Sequence, residues 1–210
     1  MNNFITESDF KIDCALPLNS PQVIDSLNND YIPLYQKEIL KKLFGFDLYV
    51  EFEAGLSQNS VSQKWIDLRD GCTYQDTDDD NVLRYVEFLG CKEIVKYYVY
   101  YKFLLELQNK VTPTGAIIQN NENSTVTPAT FKLYQSWNKL CDLYGNAMNL
   151  NKRIFKSSDY DQLLYVSENQ KNYRLNGNAY NFIYRQNEVT ADTYPDWNFT
   201  ELTRQNLITF

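Results

Sequence analysis

Asp76, Asp78, Asp80 and Glu87 fall at positions one, three, five and twelve of a calcium-binding loop, with Leu83 at its apolar eighth position. Carboxylates at that spacing are hard oxygen donors able to wrap Ca²⁺. Three features argue against the assignment. Position six is Asn81 where the sharp turn calls for Gly, Arg84 brings a positive charge to position nine, and no clear helix enters before Asp76. The competing reading is a solvated hairpin tip, where acidic residues favour a turn. No other metal set and no cofactor site is expected.

The chain has no histidine, which removes Ser-His-Asp, Cys-His and His-zinc chemistry. Its four cysteines (Cys14, Cys72, Cys91, Cys141) are far apart with no Cys-x-x-Cys pair, so free thiols packed as small hydrophobes are expected. Glu51 and Glu53 are a conceivable carboxylate pair, but no pocket signature accompanies them. No catalytic residue is assigned, and the expected answer is a protein that is not an enzyme.

The elements that would position any site are mainly helical. The helix expected from about Phe88 to Asn109 is aromatic on nearly every face, with Tyr97, Tyr98, Tyr100, Tyr101 and Phe103. A helix apolar all round must be covered by protein on all sides. Base stacking on these tyrosines would need a cationic groove, and only Lys92, Lys96 and Lys102 lie near. Core or subunit contact is the expectation, and Trp65, Trp137 and Trp197 read as packing anchors.

Before this helix, Tyr35, Ile39, Leu40, Leu43, Phe44, Leu48 and Phe52 form a stripe at helical spacing. It predicts a helix from about Pro33 to Ala54, with Asp30 as its cap, Gly45 as a kink and Gly55 as its stop. A short segment from Gln63 to Leu68 leads to Gly71, and Tyr74 with Val82, Leu83, Tyr85 and Val86 predicts a small hairpin around the acidic tip. After it, Pro113 and Gly115 suit a type I turn, with a short strand over Ala116, Ile117 and Ile118. Thr127 and Pro128 then open a third helix that carries Phe131, Tyr134, Trp137, Leu140, Cys141, Tyr144 and Met148 on one face. That face would pack on the aromatic helix from outside. A fourth helix is expected from about Ser158 to Asn169. Asn176-Gly177 then signals a hairpin turn followed by alternating Tyr180, Phe182 and Tyr184.

These elements make a mainly α chain: a bundle of three to four helices, a small β-hairpin and extended terminal arms. The division is an arm over 1–29, a helical domain over 30–170, and a C-terminal hairpin and arm over 171–210. The C-terminal arm keeps Tyr194, Trp197, Phe199 and Phe210, too aromatic to leave in water, and is expected to dock on a neighbour.

Twenty Lys and Arg against 27 Asp and Glu give a formal charge of −7, so tight phosphate binding is not expected. No stretch approaches the apolar length needed to cross a bilayer. The first residues lack a basic and apolar leader, which predicts synthesis in the cytosol. Seventeen Tyr with only seven Gly and six Pro match AT-rich coding.

The order of Tyr31-Ile32-Pro33-Leu34-Tyr35, Lys64-Trp65 with Leu68 and Gly71, the run from Lys92 to Leu104, Thr112-Pro113-Thr114-Gly115 and Glu122-Asn123-Ser124 resembles neck proteins of tailed phages infecting Bacteroidetes, including crAss-like phages. These are similar to the helical head-tail connector (adaptor) family, and the resemblance covers about Tyr31 to Tyr144. It implies a ring homo-oligomer in the virion neck, assembled in the host cytoplasm, that joins the portal to other neck or tail proteins. DNA would pass through without sequence-specific binding, past a negative wall. The implied interface residues are Tyr97, Tyr100, Tyr101, Pro113, Gly115, Ile117 and Ile118; Tyr194, Trp197, Phe199 and Phe210 join them on the aromatic exposure of the C-terminal arm alone, beyond the reach of the resemblance. A tail terminator or completion protein of the same virion is the nearest alternative. A small calcium-binding or partner-binding helical module is the alternative of another class.

Overall fold

The apolar stripe from Tyr35 to Phe52 folds as two helices, not one, because Gly45 breaks it. In the computed structural model, which describes residues 3–16, 21–77, 83–108, 110–112, 115–117, 129–145, 177–190 and 193–203, α2 (Ile32–Phe44) ends there and α3 (Phe46–Leu56) begins. Gly45 has φ 77° and ψ 175°, a combination open essentially to glycine alone.

Upstream, the helix does not start at Asp30. α1 (Pro21–Ser26) passes through a π turn (Leu27–Tyr31) straight into α2, and Asp30 lies within that turn. The Ile32 N–H donates to Leu27 O, and the wider turn lets both Leu27 and Ile32 reach the core at 0% exposure. That extra residue breaks the 3.6 period, so the pattern hides the continuity of the helix. Gly55 is not a stop either. The helix runs on to Leu56, and Gly55 is needed because an added Cβ would overlap the Trp65 indole.

α4 (Gln63–Asp70) ends at Gly71, and the chain turns into the expected hairpin, β1 (Cys72–Thr77) antiparallel to β2 (Leu83–Phe88). Directly opposed residues share a face. Tyr74 and Asp76, opposite Val86 and Arg84, therefore face inward, while Thr73 and Gln75, opposite Glu87 and Tyr85, face out. Tyr74, Asp76, Val86 and Phe88 are buried.

α5 (Cys91–Gln108) is the aromatic helix. It lies against α2 on one side and α6 (Ala129–Tyr144) on another. The Tyr101 and Trp137 rings meet at 4.8 Å, and Tyr100 donates to Ala15 O of the N-terminal segment. Covering from several sides is what an all-round apolar helix requires. A second small hairpin pairs β3 (Lys110–Thr112) with β4 (Gly115–Ile117). The fourth helix expected over 158–169 lies outside the described residues, as do Thr127, Pro128 and Met148.

The strand expected after Asn176-Gly177 is a helix instead, and residues 146–176 lie outside the described ones. The Asn178 side chain accepts the Asn181 N–H at 2.8 Å and caps α7 (Ala179–Val189). The Tyr180, Phe182, Tyr184 alternation is also an i, i+4 pattern: Tyr180 and Tyr184 stack along one side at 6.5 Å, while Phe182 is buried.

Neither described terminal segment is a free arm. Ile5, Phe10 and Cys14 at one end, and Tyr194 and Leu202 at the other, belong to the same buried cluster as the helices. The result is mainly α with a small antiparallel hairpin. Among the described residues no helix is long and apolar enough to cross a membrane.

Candidate functional site

The break at Gly45 leaves the last carbonyls of α2 without partners in the helix, as every helix end does. Lys41 O accepts the Gly45 N–H. The other three are taken by a segment more than 150 residues away in sequence. Thr200 N–H donates to Lys42 O at 3.0 Å and Asn198 N–H to Phe44 O at 2.9 Å, while the Trp197 indole N–H donates to Leu43 O at 2.8 Å. We call Trp197–Thr203 the strap. Gly45 permits its approach: an added Cβ would stand 2.8 Å from Asn198 Cβ.

The strap is fastened by aromatic contacts to α6 and α7. Phe199 meets Tyr144 at 5.0 Å and Tyr180 at 4.6 Å, and Trp197 meets Tyr180 at 4.9 Å. Tyr144 donates its hydroxyl to Thr200 O, and the Trp137 indole donates to Thr203 O. Just before the strap, Tyr194 is 1% exposed. It is held separately by Asn187 of α7, which accepts its N–H, and by Lys64 O, which accepts its hydroxyl. Pro195 and Asp196, both exposed, join the two anchors.

A polar cluster joins α2 to α5. Glu38 accepts from Tyr98 at 2.6 Å and from Lys42 at 3.1 Å, with Lys102 at 3.5 Å. Burial pushes the Glu38 carboxyl up, but these hydrogen bonds and the two ammonium charges outweigh it and leave it below its ordinary value. Tyr35 donates to Glu106, and burial together with that carboxylate raises its phenol. Lys102 also lies over the Tyr35 and Tyr98 rings at 5.2 and 5.3 Å. The cations are thus committed to carboxylates and rings, which makes the cluster a clamp between two helices.

The calcium arrangement is not assembled. Asp76 sits on the inner face of the hairpin, where its carboxylate lies 3.5 Å from Arg185 of α7 at 2% exposure, and Glu87 sits on the outer face. Carboxylates on opposite faces of a two-stranded ribbon cannot share one ion. Asp78 and Asp80 lie outside the described residues, among which no cluster of metal-ligating side chains is found.

The expected interface residues divide. Tyr97 and Tyr100 are 7% and 1% exposed, and Tyr101 is half-buried against Trp137, so these rings are spent inside the chain. Gly115 and Ile117 lie in β4, and Pro113, Ile118 and Phe210 lie outside the described residues. Tyr194, Trp197 and Phe199, expected to dock on a neighbour, dock on their own chain: Trp197 on the Leu43 carbonyl of α2, Tyr194 on Lys64 O and Asn187, and Phe199 on the Tyr144 and Tyr180 rings.

The side chains left apolar and open are others. Phe46 and Val50, one turn apart on α3, are 64% and 46% exposed; Leu83 and Tyr85 on the outer face of β2 are 55% and 77%. Val189 at the end of α7, Ile12, which has φ 54°, Leu34 on α2 and Leu89 are also open, as is Phe131 of α6, expected on the packing face but displaced from it by Leu133. Phe46 and Val50 carried a signal in the sequence, since both fall off the buried stripe of α2 and α3. Cysteine chemistry is not favoured: burial pushes the Cys14 and Cys72 thiols up to about 11 and raises Cys91 further.

Fold and surfaces together define a mainly α packing domain whose conspicuous surface feature is open apolar side chains on unlike elements. Residues 40–206 match a family of unknown function, DUF6712, and the chain belongs to that family. No curated protein and no solved structure matches it.

Proposed function

We propose that this chain is a structural protein of a tailed phage, forming a ring in the neck that joins the portal to tail proteins and lets DNA pass. The observation that supports the reading is the pair of unlike apolar patches, Phe46 with Val50 on α3 and Leu83 with Tyr85 on β2. A head-to-tail ring needs two different surfaces on each copy, whereas a two-fold dimer needs only one. The formal charge of −7 suits a conduit that repels the DNA backbone and so does not hold it. The feature order from Tyr31 to Tyr144 resembles connector proteins, and it overlaps the family match from residue 40 onward.

The test uses two variants, Phe46→Glu and Tyr85→Glu, with native mass spectrometry of each alone and of an equal mixture. The unsubstituted chain should give a closed ring and each variant monomers. The mixture should give dimers that grow no further, because one sound patch of each kind remains. A monomeric unsubstituted chain, both alone and with assembled portal, would refute the proposal.

A further inference from the structure

We propose that the open face of α3 takes the basic run Lys152-Arg153-Ile154-Phe155-Lys156 of a neighbouring copy, so that carboxylates of one subunit meet cations of the next across the ring contact. The inference rests on the ring reading above. Phe46, Val50 and Ala54 form one exposed row along α3, and Asp47 and Glu51 form the exposed row beside it. Among the described residues neither Asp47 nor Glu51 has an ion-pair partner. Lys41 meets the face at its first turn, over the Phe46 and Tyr49 rings at 5.1 and 5.4 Å, which leaves Glu51, further along, to a cation from outside. A surface that is apolar with an acidic flank is matched by a segment that is apolar and basic.

The chain holds one such segment. Residues 152–156 carry three of its 20 Lys and Arg together with Ile154 and Phe155, and no other five consecutive residues hold three cations. They lie outside the described residues, within 146–176, a stretch rooted in described ones at both ends. It leaves at Gly145, where an added Cβ would stand 2.6 Å from Asn178 Oδ1, and it returns at Gly177, which packs on Glu87 O of β2 with no room for a Cβ. Both roots lie together beside β2, the strand whose outer Leu83 and Tyr85 the ring reading sets against Phe46 and Val50 of the next copy. Lys152 follows Gly145 by seven residues, a reach of at most about 24 Å. The occupant is a second copy and not the same one, because Phe46 stays 64% exposed within its own chain.

The experiment uses two charge-reversed full-length chains, Asp47→Lys with Glu51→Lys and Lys152→Glu with Arg153→Glu, one of them ¹⁵N-labelled, and follows ring formation by native mass spectrometry. Each alone sets like charges together across the contact, and its subunit affinity should fall about tenfold or more. Mixed in equal amounts they should recover assembly, in oligomers that hold light and heavy chains in equal number, because only unlike chains then meet opposite charges. Recovery in a single chain carrying all four reversals but not in the mixture would place the contact within one copy and overturn the inference. A loss that neither repairs, or variants that assemble as well as the parent, overturn it too and leave the ring reading standing. A parent that forms no ring, alone or with assembled portal, overturns both.

Discussion

Replacing Gly45 with Ala tests the joint between α2 and the strap. Alanine at φ 77° and ψ 175° enters a region that costs about 1–3 kcal/mol for any residue with a Cβ. The new Cβ would also meet Asn198 Cβ at 2.8 Å and Asn198 O at 3.0 Å, so either α2 or the strap must shift. If the strap lets go, three hydrogen bonds to Lys42, Leu43 and Phe44 carbonyls are lost, at about 1 kcal/mol each. The expected destabilisation is then about 4–6 kcal/mol, a large part of the stability of a domain this size. Urea unfolding followed by far-UV circular dichroism gives the total. Tryptophan emission in zero denaturant reports strap release, because Trp197 would move into water. A companion Asn198→Gly change removes the Cβ contact but neither the close approach to Asn198 O nor the backbone strain, so the double variant should recover only part of the loss. A Gly45→Ala protein within about 0.5 kcal/mol of the parent, with unchanged emission, would show that the joint is not as drawn.

Four other outcomes are expected. Arg185→Leu takes the guanidinium from beside the buried Asp76 carboxylate and should cost about 1–3 kcal/mol, more than the nearly isosteric Asp76→Asn; the reverse order in urea unfolding would refute the pairing. Millimolar Ca²⁺ should leave the melting temperature unchanged, and a saturable rise abolished by Glu87→Gln would restore the calcium loop. At pH 8 Cys14 and Cys72, held near 11 by burial, should react with a thiol reagent about 100-fold more slowly than free cysteine. Stability should fall at both pH extremes. Thiols raised on folding stabilise below about pH 9, the stabilisation being lost as pH climbs toward 11, whereas Glu38, lowered on folding, adds stability above its ordinary pKa that is lost on acidification. Glu38→Gln should flatten the acid limb alone, and an unchanged limb would remove Glu38 from the clamp.

The sequence made visible what local chemistry decides. The α5 aromatics, the stripe ending at Phe52 and the hairpin flanked by Tyr74 and Val86 follow from periodicity; the face of α6 follows only at Leu140, Cys141 and Tyr144, because Phe131 is exposed while Leu133, Ser136 and Leu143 are buried. It misled wherever a residue type has two uses. Gly55 reads as a stop but makes room for Trp65; Asn176-Gly177 reads as a turn into a strand, but Asn178 directly after it caps a helix. Tyr180, Phe182 and Tyr184 satisfy both a period of two and an i, i+4 stack. The joint at α2 was out of reach for another reason, since its partners are separated by 154 residues and no local pattern couples Leu43 to Trp197. Phe46 and Val50 were within reach as apolar residues off the buried stripe.

That separation bears on how the molecule acquires its shape. A contact between Leu43 and Trp197 closes a loop across 154 positions of the 210-residue chain, and the entropy of closure grows with loop length. Local pieces such as α5 with α6 and the β1–β2 hairpin have far shorter loops to close and should form first. The end of α2 would then stay hydrated and frayed through most of folding, with the strap arriving last and leaving first. Amide hydrogens of Asn198 and Thr200 should accordingly exchange faster than those of α5, marking where the native state opens.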